Sequence, residues 1–460
     1  MRRLFGCIFA AAIGLGSLQC TPPRVDAQDA LTLHVNLANE DFVLPNGLRV
    51  VLHPDTSATT AVVRVRYHVG SKDDPDGRSG LAHLFEHLMF LETPRTAPGD
   101  FMQRLEAAGG VDTNASTTHD RTDYYEVVPP TQVSLALWLE AGRMAHPALD
   151  IDAKAFTAER SVVQNEWREH YDDVAFGHIR NFALEEVFGR AHPYGRPTIG
   201  NVSEIGAVSL DDIHAFGAKY YRPNNATLVV CGAFNTIAVK KVIDAFFAPI
   251  PGARIPTRRA FEPAKIESSR RVEAIARTNA PMVMMAWPAP PPGAPGFEEL
   301  ALAVEVLESD LWHRLVTEKE IADSVDVSLD PGHLGSFVTL EIKLKAGAST
   351  STAIDIAHEY LGRTAAVGKN MPWPNFGDFK SKQMVRKVAT LESPEARASR
   401  ILFDLEFFGV ADGMQEQLRR IQRVRAEELG NAAEQFLSDA NNVTIVVTND
   451  SSAPRSGKRR

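Results

Sequence analysis

In the run Ser79-Gly80-Leu81-Ala82-His83-Leu84-Phe85-Glu86-His87-Leu88-Met89-Phe90, three side chains have the types and spacing for hydrolytic chemistry. Leu81, Leu84, Phe85 and Leu88 recur at helical intervals. His83 and His87 are four apart and Glu86 is three from His83, so all three project from one face. Two imidazoles one turn apart can bind a single Zn²⁺, leaving positions for a third ligand and a water. The carboxylate between them is placed to take a proton from that water. A lone histidine on an apolar helix is usually a satisfied core residue. Two histidines and a glutamate on such a helix are harder to satisfy. Buried without a metal, each would be stranded at a cost of about 1–3 kcal/mol.

A third ligand has to come from elsewhere. The helix expected over about Asp152 to Tyr171 carries Glu159 and Glu166, two turns apart on one face. Either could supply it, although such a pair is more often a solvated face.

The histidine helix is positioned by strands. Phe42-Val43-Leu44 and Leu48 to Leu52 flank Asn46-Gly47, a strong hairpin signal. Val63, Val65, Tyr67 and Val69 alternate with Arg64, Arg66 and His68, which reads as a half-buried strand. A polar loop from Gly70 to Gly77 leads into the histidine helix. Beyond it, Val111 to Thr118 is rich in short polar and β-branched residues, and Thr122 to Val128 reads as a second strand. The polar strand suits a sheet edge. An edge can accept an extended peptide as one more strand, or its polarity can simply prevent aggregation.

Later segments repeat this plan coarsely at about the 200-residue scale, which suggests duplication. The second-half counterpart of the histidine helix carries Glu298, Glu299, Leu302 and Glu305 and no histidine pair. A second zinc site of this kind is therefore not expected. The proline-rich stretch after Ala248 reads as a linker. The expected organisation is an export signal at 1–27, a zinc domain at 38–250, a linker at 251–268, a second domain at 269–450, and a disordered basic tail at 451–460.

The chain has 460 residues, 44% of them apolar and 23% charged, enough for two or three globular domains. A net charge of -9 argues against nucleic acid as a partner. Met1-Arg2-Arg3, the apolar run Leu4 to Leu18 and Val25-Asp26-Ala27 read as a secretory signal with its cleavage site. The expectation is export to a bacterial periplasm. Gln19 makes a poor lipobox before Cys20, so lipid anchoring is the lesser reading. Cleavage at Ala27 would leave Cys231 as the only cysteine, and no later segment reads as a membrane span.

Several further stretches complete a pattern: Pro45-Asn46-Gly47-Leu48, Asn114-Ala115, Asp120 with Thr122 and Tyr124, the Glu159 to Glu166 helix, and Tyr221-Arg222-Pro223-Asn224-Asn225. With the Gly80 to Phe90 helix, these resemble the pitrilysin/insulinase family of zinc peptidases, whose inverted motif is His-x-x-Glu-His. The resemblance implies an α+β fold of two duplicated domains, each a mostly antiparallel sheet packed with helices, together forming half of a clamshell chamber. It implies one Zn²⁺ per chain on His83, His87 and Glu166, with Glu86 as general base. Glu159 would act from behind a ligand, and Asn114, Ala115 and Ser116 would line the substrate-binding edge. The length matches the short type, in which two chains close around a peptide. Active members carry an Arg and a Tyr, seven apart, in the second domain. Here those positions hold Val316 and Asp323. The implied function is a zinc endopeptidase of unfolded peptides, the zinc-bearing half of a heterodimer whose partner supplies the Arg and Tyr. The rivals are a homodimer, a non-catalytic assembly subunit of the same family, and a peptide-binding module that uses the edge alone.

Overall fold

The structure, a computed structural model, describes residues 33, 35, 37, 40–91, 93, 96, 97, 99–148 and 151–459. The stretch expected to be an export signal with its cleavage site, residues 1–27, lies outside the described residues.

Strands β1 (Glu40–Val43), β2 (Arg49–Pro54), β3 (Ala61–Tyr67), β4 (Asp112–Thr117), β5 (Thr122–Val128) and β6 (Ala226–Gly232) form one sheet, in the order β1-β2-β6-β3-β5-β4. Strands β7 (Arg270–Ala276), β8 (Met282–Ala289), β9 (Ala322–Asp330), β10 (Ser336–Leu344), β11 (Val443–Asn449) and β12 (Lys458–Arg459) form a second, in the order β12-β7-β11-β8-β10-β9. Each sheet has one parallel pair, β2 with β6 and β7 with β11, and its other pairs are antiparallel. Five strands correspond in order, β2-β6-β3-β5-β4 with β7-β11-β8-β10-β9, as expected of a duplication, while the outer strands differ: β1 opens the first half and β12 comes from the end of the chain. The counterpart of the histidine helix is Phe297–Trp312, between β8 and β9. Both helices start after a left-handed glycine, Gly80 at φ 91° and Gly296 at φ 86°.

The Asn46-Gly47 signal produces the β1–β2 hairpin, with Gly47 at φ +89°. A Cβ there would also come within 2.5 Å of the Asn224 Cβ, so the turn needs glycine for space as well as for backbone. β4 lies at the end of its sheet and pairs with β5 alone.

Each half completes the helical layer of the other. Helix Ile179–Phe188, from the first half, buries Ile179, Ala183, Leu184 and Val187 against the second sheet at Met282, Met284 and Ile445. Helix Pro394–Phe408, from the second half, packs on β3 and β6. Residues 251–266 run between the halves with no helix or strand.

This exchange corrects one expectation. β3 is not half-buried: every residue from Ala61 to Tyr67 is buried. Arg64 and Arg66 face helix Pro394–Phe408 rather than water. Arg64 Nη1 donates to Ser399 Oγ at 2.6 Å, and Arg66 Nη1 donates to Glu406 Oε2 at 2.5 Å. Asp123 on β5 takes Arg66 Nε at 2.7 Å and Arg64 Nη2 at 3.0 Å. The alternation was real, but the polar face meets counter-charges instead of solvent.

A second correction concerns the tail. Residues 451–459 are ordered: Lys458–Arg459 adds β12 to the edge of β7. Arg459 Nη1 lies 3.0 Å from Glu186 Oε1 and Ser456 is fully buried, so the end of the tail is pinned through Arg459.

His68, just after β3, contacts Thr227 Oγ1 through Nε2 at 3.0 Å. Burial, aided by Arg66, pushes it down to about 4 from an ordinary 6.5. The unfolded chain takes up a proton below about 6.5 that the folded chain refuses until about 4. Stability should therefore fall by about 1–3 kcal/mol as pH drops through that window. Urea unfolding at pH 7 and pH 5 tests this. His68→Gln should show a shallower pH slope than the parent chain.

Candidate active site

Helix Leu81–Leu88 buries Leu81, Leu84, Phe85 and Leu88 and turns its histidines toward a neighbouring helix. Its start is held by Asp74, whose carboxylate accepts from Gly80 N and Ala82 N, each at 2.8 Å. Gly80 is required: a Cβ there would lie 2.3 Å from Ile199 O. The neighbouring helix, Ala153–Trp167, is capped by Asp152 and buries Phe156 and Val163. The adjoining stripe, three positions on from each, presents Glu159 and Glu166.

These two helices bring the expected ligands together. One ligand atom each from His83, His87 and Glu166 lies within 4.8 Å of the others. His87 Nε2 is 3.2 Å from Glu166 Oε2, and His83 Nε2 is 3.8 Å from Glu166 Oε1. Glu159 Oε1 meets the other side of the His87 ring, 2.9 Å from Nδ1. Glu159 thereby fixes the ring and leaves Nε2 free to ligate. Two nitrogens and one carboxylate oxygen with an open fourth side are the donor set of a catalytic zinc site, so the residues present fit the ion.

Burial opposes the charge on His87, but the Glu159 and Glu166 carboxylates outweigh it and push the imidazole up to about 9. His83 is pushed down to about 4, mainly by burial and then by His87. Glu86 is 7% exposed, and burial pushes its carboxyl up to about 7. Groups with ordinary values of 4.5 and 6.5 are thus driven in different directions within two turns of helix, a common mark of functional sites.

Two contacts were missed by sequence reasoning. The Thr117 hydroxyl donates to Glu86 Oε2, linking edge strand β4 to the histidine helix. β4 alternates exposed and half-buried residues, so Ala115 shares the inward face of Thr117 while Asn114 and Ser116 point outward. The run of short polar residues suited an edge, but nothing in its spacing pointed Thr117 at Glu86. His170, in the turn after the glutamate helix, lies 3.6 Å from Glu166 through Nδ1. Its i,i+4 spacing from Glu166 was visible, but helix does not continue regularly there. Of the second-half positions, Val316 packs partly buried beside the second core, and Asp323 is exposed on β9. In the counterpart helix, Leu302 and Ala303 stand where register from Gly80 and Gly296 puts Glu86 and His87.

Two family models cover this architecture. "Insulinase (Peptidase family M16)" matches residues 49–201, and "Peptidase M16 inactive domain" matches residues 207–369. The chain belongs to the M16 insulinase family. Zinc protease PqqE of Helicobacter pylori is 32% identical over 269 residues, 57% of each chain. That match therefore spans little more than half the length of PqqE. The uncharacterized zinc protease Rv2782c of Mycobacterium tuberculosis is 27% identical over 422 residues, 87% of this chain and 91% of that one. Among solved M16-like structures, a protease from Helicobacter pylori superimposes with a TM-score of 0.81 at 24% identity, covering 89% of this chain and 99% of its own. The periplasmic protease PqqL of Escherichia coli gives 0.74 at 18% identity, covering 92% of this chain and 49% of PqqL. The M16 fold is thus shared, and this chain corresponds to about half of PqqL. Among the described residues, no helix is long and apolar enough to cross a membrane.

Proposed function

We propose that this chain is a zinc-dependent endopeptidase of unfolded peptides and the zinc-bearing half of a heterodimeric chamber. The observation that carries the reading is the convergence of His83, His87 and Glu166 within 4.8 Å, with the buried Glu86 beside them. His83, His87 and Glu166 would hold the ion, and Glu159 would orient His87. When bound, Zn²⁺ polarises a peptide carbonyl and lowers the pKa of water toward about 7. Glu86 takes the proton released on attack and passes it to the leaving amine. Thr117 holds the Glu86 carboxylate in place through its hydroxyl. The unpaired side of β4 receives the peptide as an added strand along Asn114, Ala115 and Ser116, which reads backbone rather than sequence.

Val316 is apolar and Asp323 is a carboxylate, so neither donates a neutral or cationic hydrogen bond to a developing oxyanion. A partner chain supplying an Arg and a Tyr would complete the chamber. The purified chain alone should cleave an unstructured peptide slowly, and cleavage should rise when its co-purifying partner is added. Full activity as a homodimer would sink the heterodimer reading. Export to the periplasm agrees with the apolar N-terminal run and with the periplasmic description of PqqL.

Glu159→Gln tests the orienting role. Zinc affinity should fall about 10–100-fold, read by competition with a chromophoric chelator, while stoichiometry at saturating zinc stays at one per chain. Unchanged affinity would remove Glu159 from the site.

A further inference from the structure

We infer that a second, cationic cavity in the C-terminal half binds the carboxylates of acidic peptides, outside the zinc cluster. This rests on the peptidase reading and adds a substrate class to it. The cavity, about 550 Å³, is lined by Arg277, Lys343, Arg455, Asp323, Asn279 and Phe176 among others. Three cations face one carboxylate, in a chain whose net charge is -9. Among the described residues, the three cations are exposed and none forms an ion pair. Nearby basic residues behave differently: Arg270, Arg271 and Arg459 are each paired to a glutamate. A concave surface that keeps three unpaired cations is a ready counter-charge for an anion.

The cavity is built from separate parts of the chain that backbone bonds hold in place. Arg277 N donates to Pro454 O at 3.0 Å, and Phe176 N donates to Arg455 O at 3.1 Å. The returning tail therefore sets Arg455 beside Arg277 and against the first half. Leu344 N donates to Pro281 O at 3.0 Å, which fixes the β10 end that carries Lys343. The β9–β10 register shifts between Lys343 and Leu344, whose partners are Ser324 and Ala322. Asp323 is the extra residue of that bulge, a device that re-aims a side chain and recurs near functional sites. Phe176 stands at φ 66°, one of three left-handed non-glycine residues among those described. A second, Glu320 at φ 52°, lies three residues before Asp323. Backbone strain of this kind persists where surroundings enforce it, and it gathers at ligand sites.

The carboxylate of an acidic side chain matches the arginine forks in geometry and charge.

The test uses the full chain carrying Glu86→Gln, so that binding is read without cleavage. The probe is a fluorescein-labelled peptide ending in Glu-Glu-Glu, with a Ser-Ser-Ser peptide of equal length as control, and the readout is anisotropy. The acidic peptide should bind more tightly than the control. Arg277→Gln with Arg455→Gln should weaken it by about tenfold or more. Chelator treatment should leave this difference in place. Equal binding of both peptides, or unchanged binding in the double variant, would overturn the inference. Tighter binding of inorganic phosphate than of the acidic peptide would overturn its assignment to a peptide carboxylate. If the parent chain and its partner cleave peptide while the cavity variants bind normally, this inference alone fails. If the acidic peptide binds as expected but no peptide is ever cleaved, the peptidase reading alone fails.

Discussion

Replacing Glu86 with Gln should lower peptide turnover by about 10²-fold or more while leaving zinc content and fold unchanged. The change is isosteric, so the helix, the contact from Thr117 and the His83–His87–Glu166 cluster should survive. What disappears is a group able to accept a proton. Burial places the Glu86 carboxyl near 7, in the range where a general base is both free at neutral pH and basic enough to act. Zinc measured by mass spectrometry, far-ultraviolet circular dichroism and peptide turnover on one preparation give the answer. Near-normal turnover with full zinc would remove Glu86 from the role. Lost zinc would instead mean that Glu86 supports the ligands.

The largest expected effect on stability lies elsewhere. Asp123→Ala should cost about 3–5 kcal/mol. Asp123 is 1% exposed and takes two bonds from Arg66 and one from Arg64. Arg121 stands 3.6 Å away. Burial pushes the Asp123 carboxyl up, but Arg66 and Arg64 outweigh it and hold it well below the usual range. Removing it leaves two buried guanidiniums with Glu406 and Ser399 as their remaining partners. Asp41→Ala is the control. Its pair with Arg49 is about 30% exposed on both sides, and its loss should cost less than about 1 kcal/mol. The urea midpoints of the two variants should separate clearly. A loss at Asp123 no greater than at Asp41 would show that the buried pairs are offset by their own desolvation. Because the partners of Asp123 reach helix Pro394–Phe408, the loss should also loosen the two halves together.

The chemistry was legible because it rests on local spacing. Imidazoles four positions apart and glutamates seven positions apart share one face of a helix wherever that helix goes. The same holds for the Asn46-Gly47 hairpin and for edge strand β4, whose run of short polar residues suited an edge before any pairing was known. Spacing alone left open which of Glu159 and Glu166 would ligate, and the family resemblance pointed to Glu166; in the fold Glu166 faces both Nε2 atoms and Glu159 faces Nδ1 of His87, an approach that local spacing could not give. Thr117 was hidden for the same reason, since its partner is 31 residues away.

By itself the sequence determined the helix that carries the two histidines and Glu86, the duplicated plan, and the lack of that motif in the second copy. Each depends on periodicity within one element, which the chain carries wherever it folds. The tertiary structure decided the burial of Arg64 and Arg66, the docking of the 451–459 tail, and the gathering of Arg277, Lys343 and Arg455. Those outcomes depend on charges brought together from distant segments, and whether a charge meets water or a counter-charge is settled only when the halves pack.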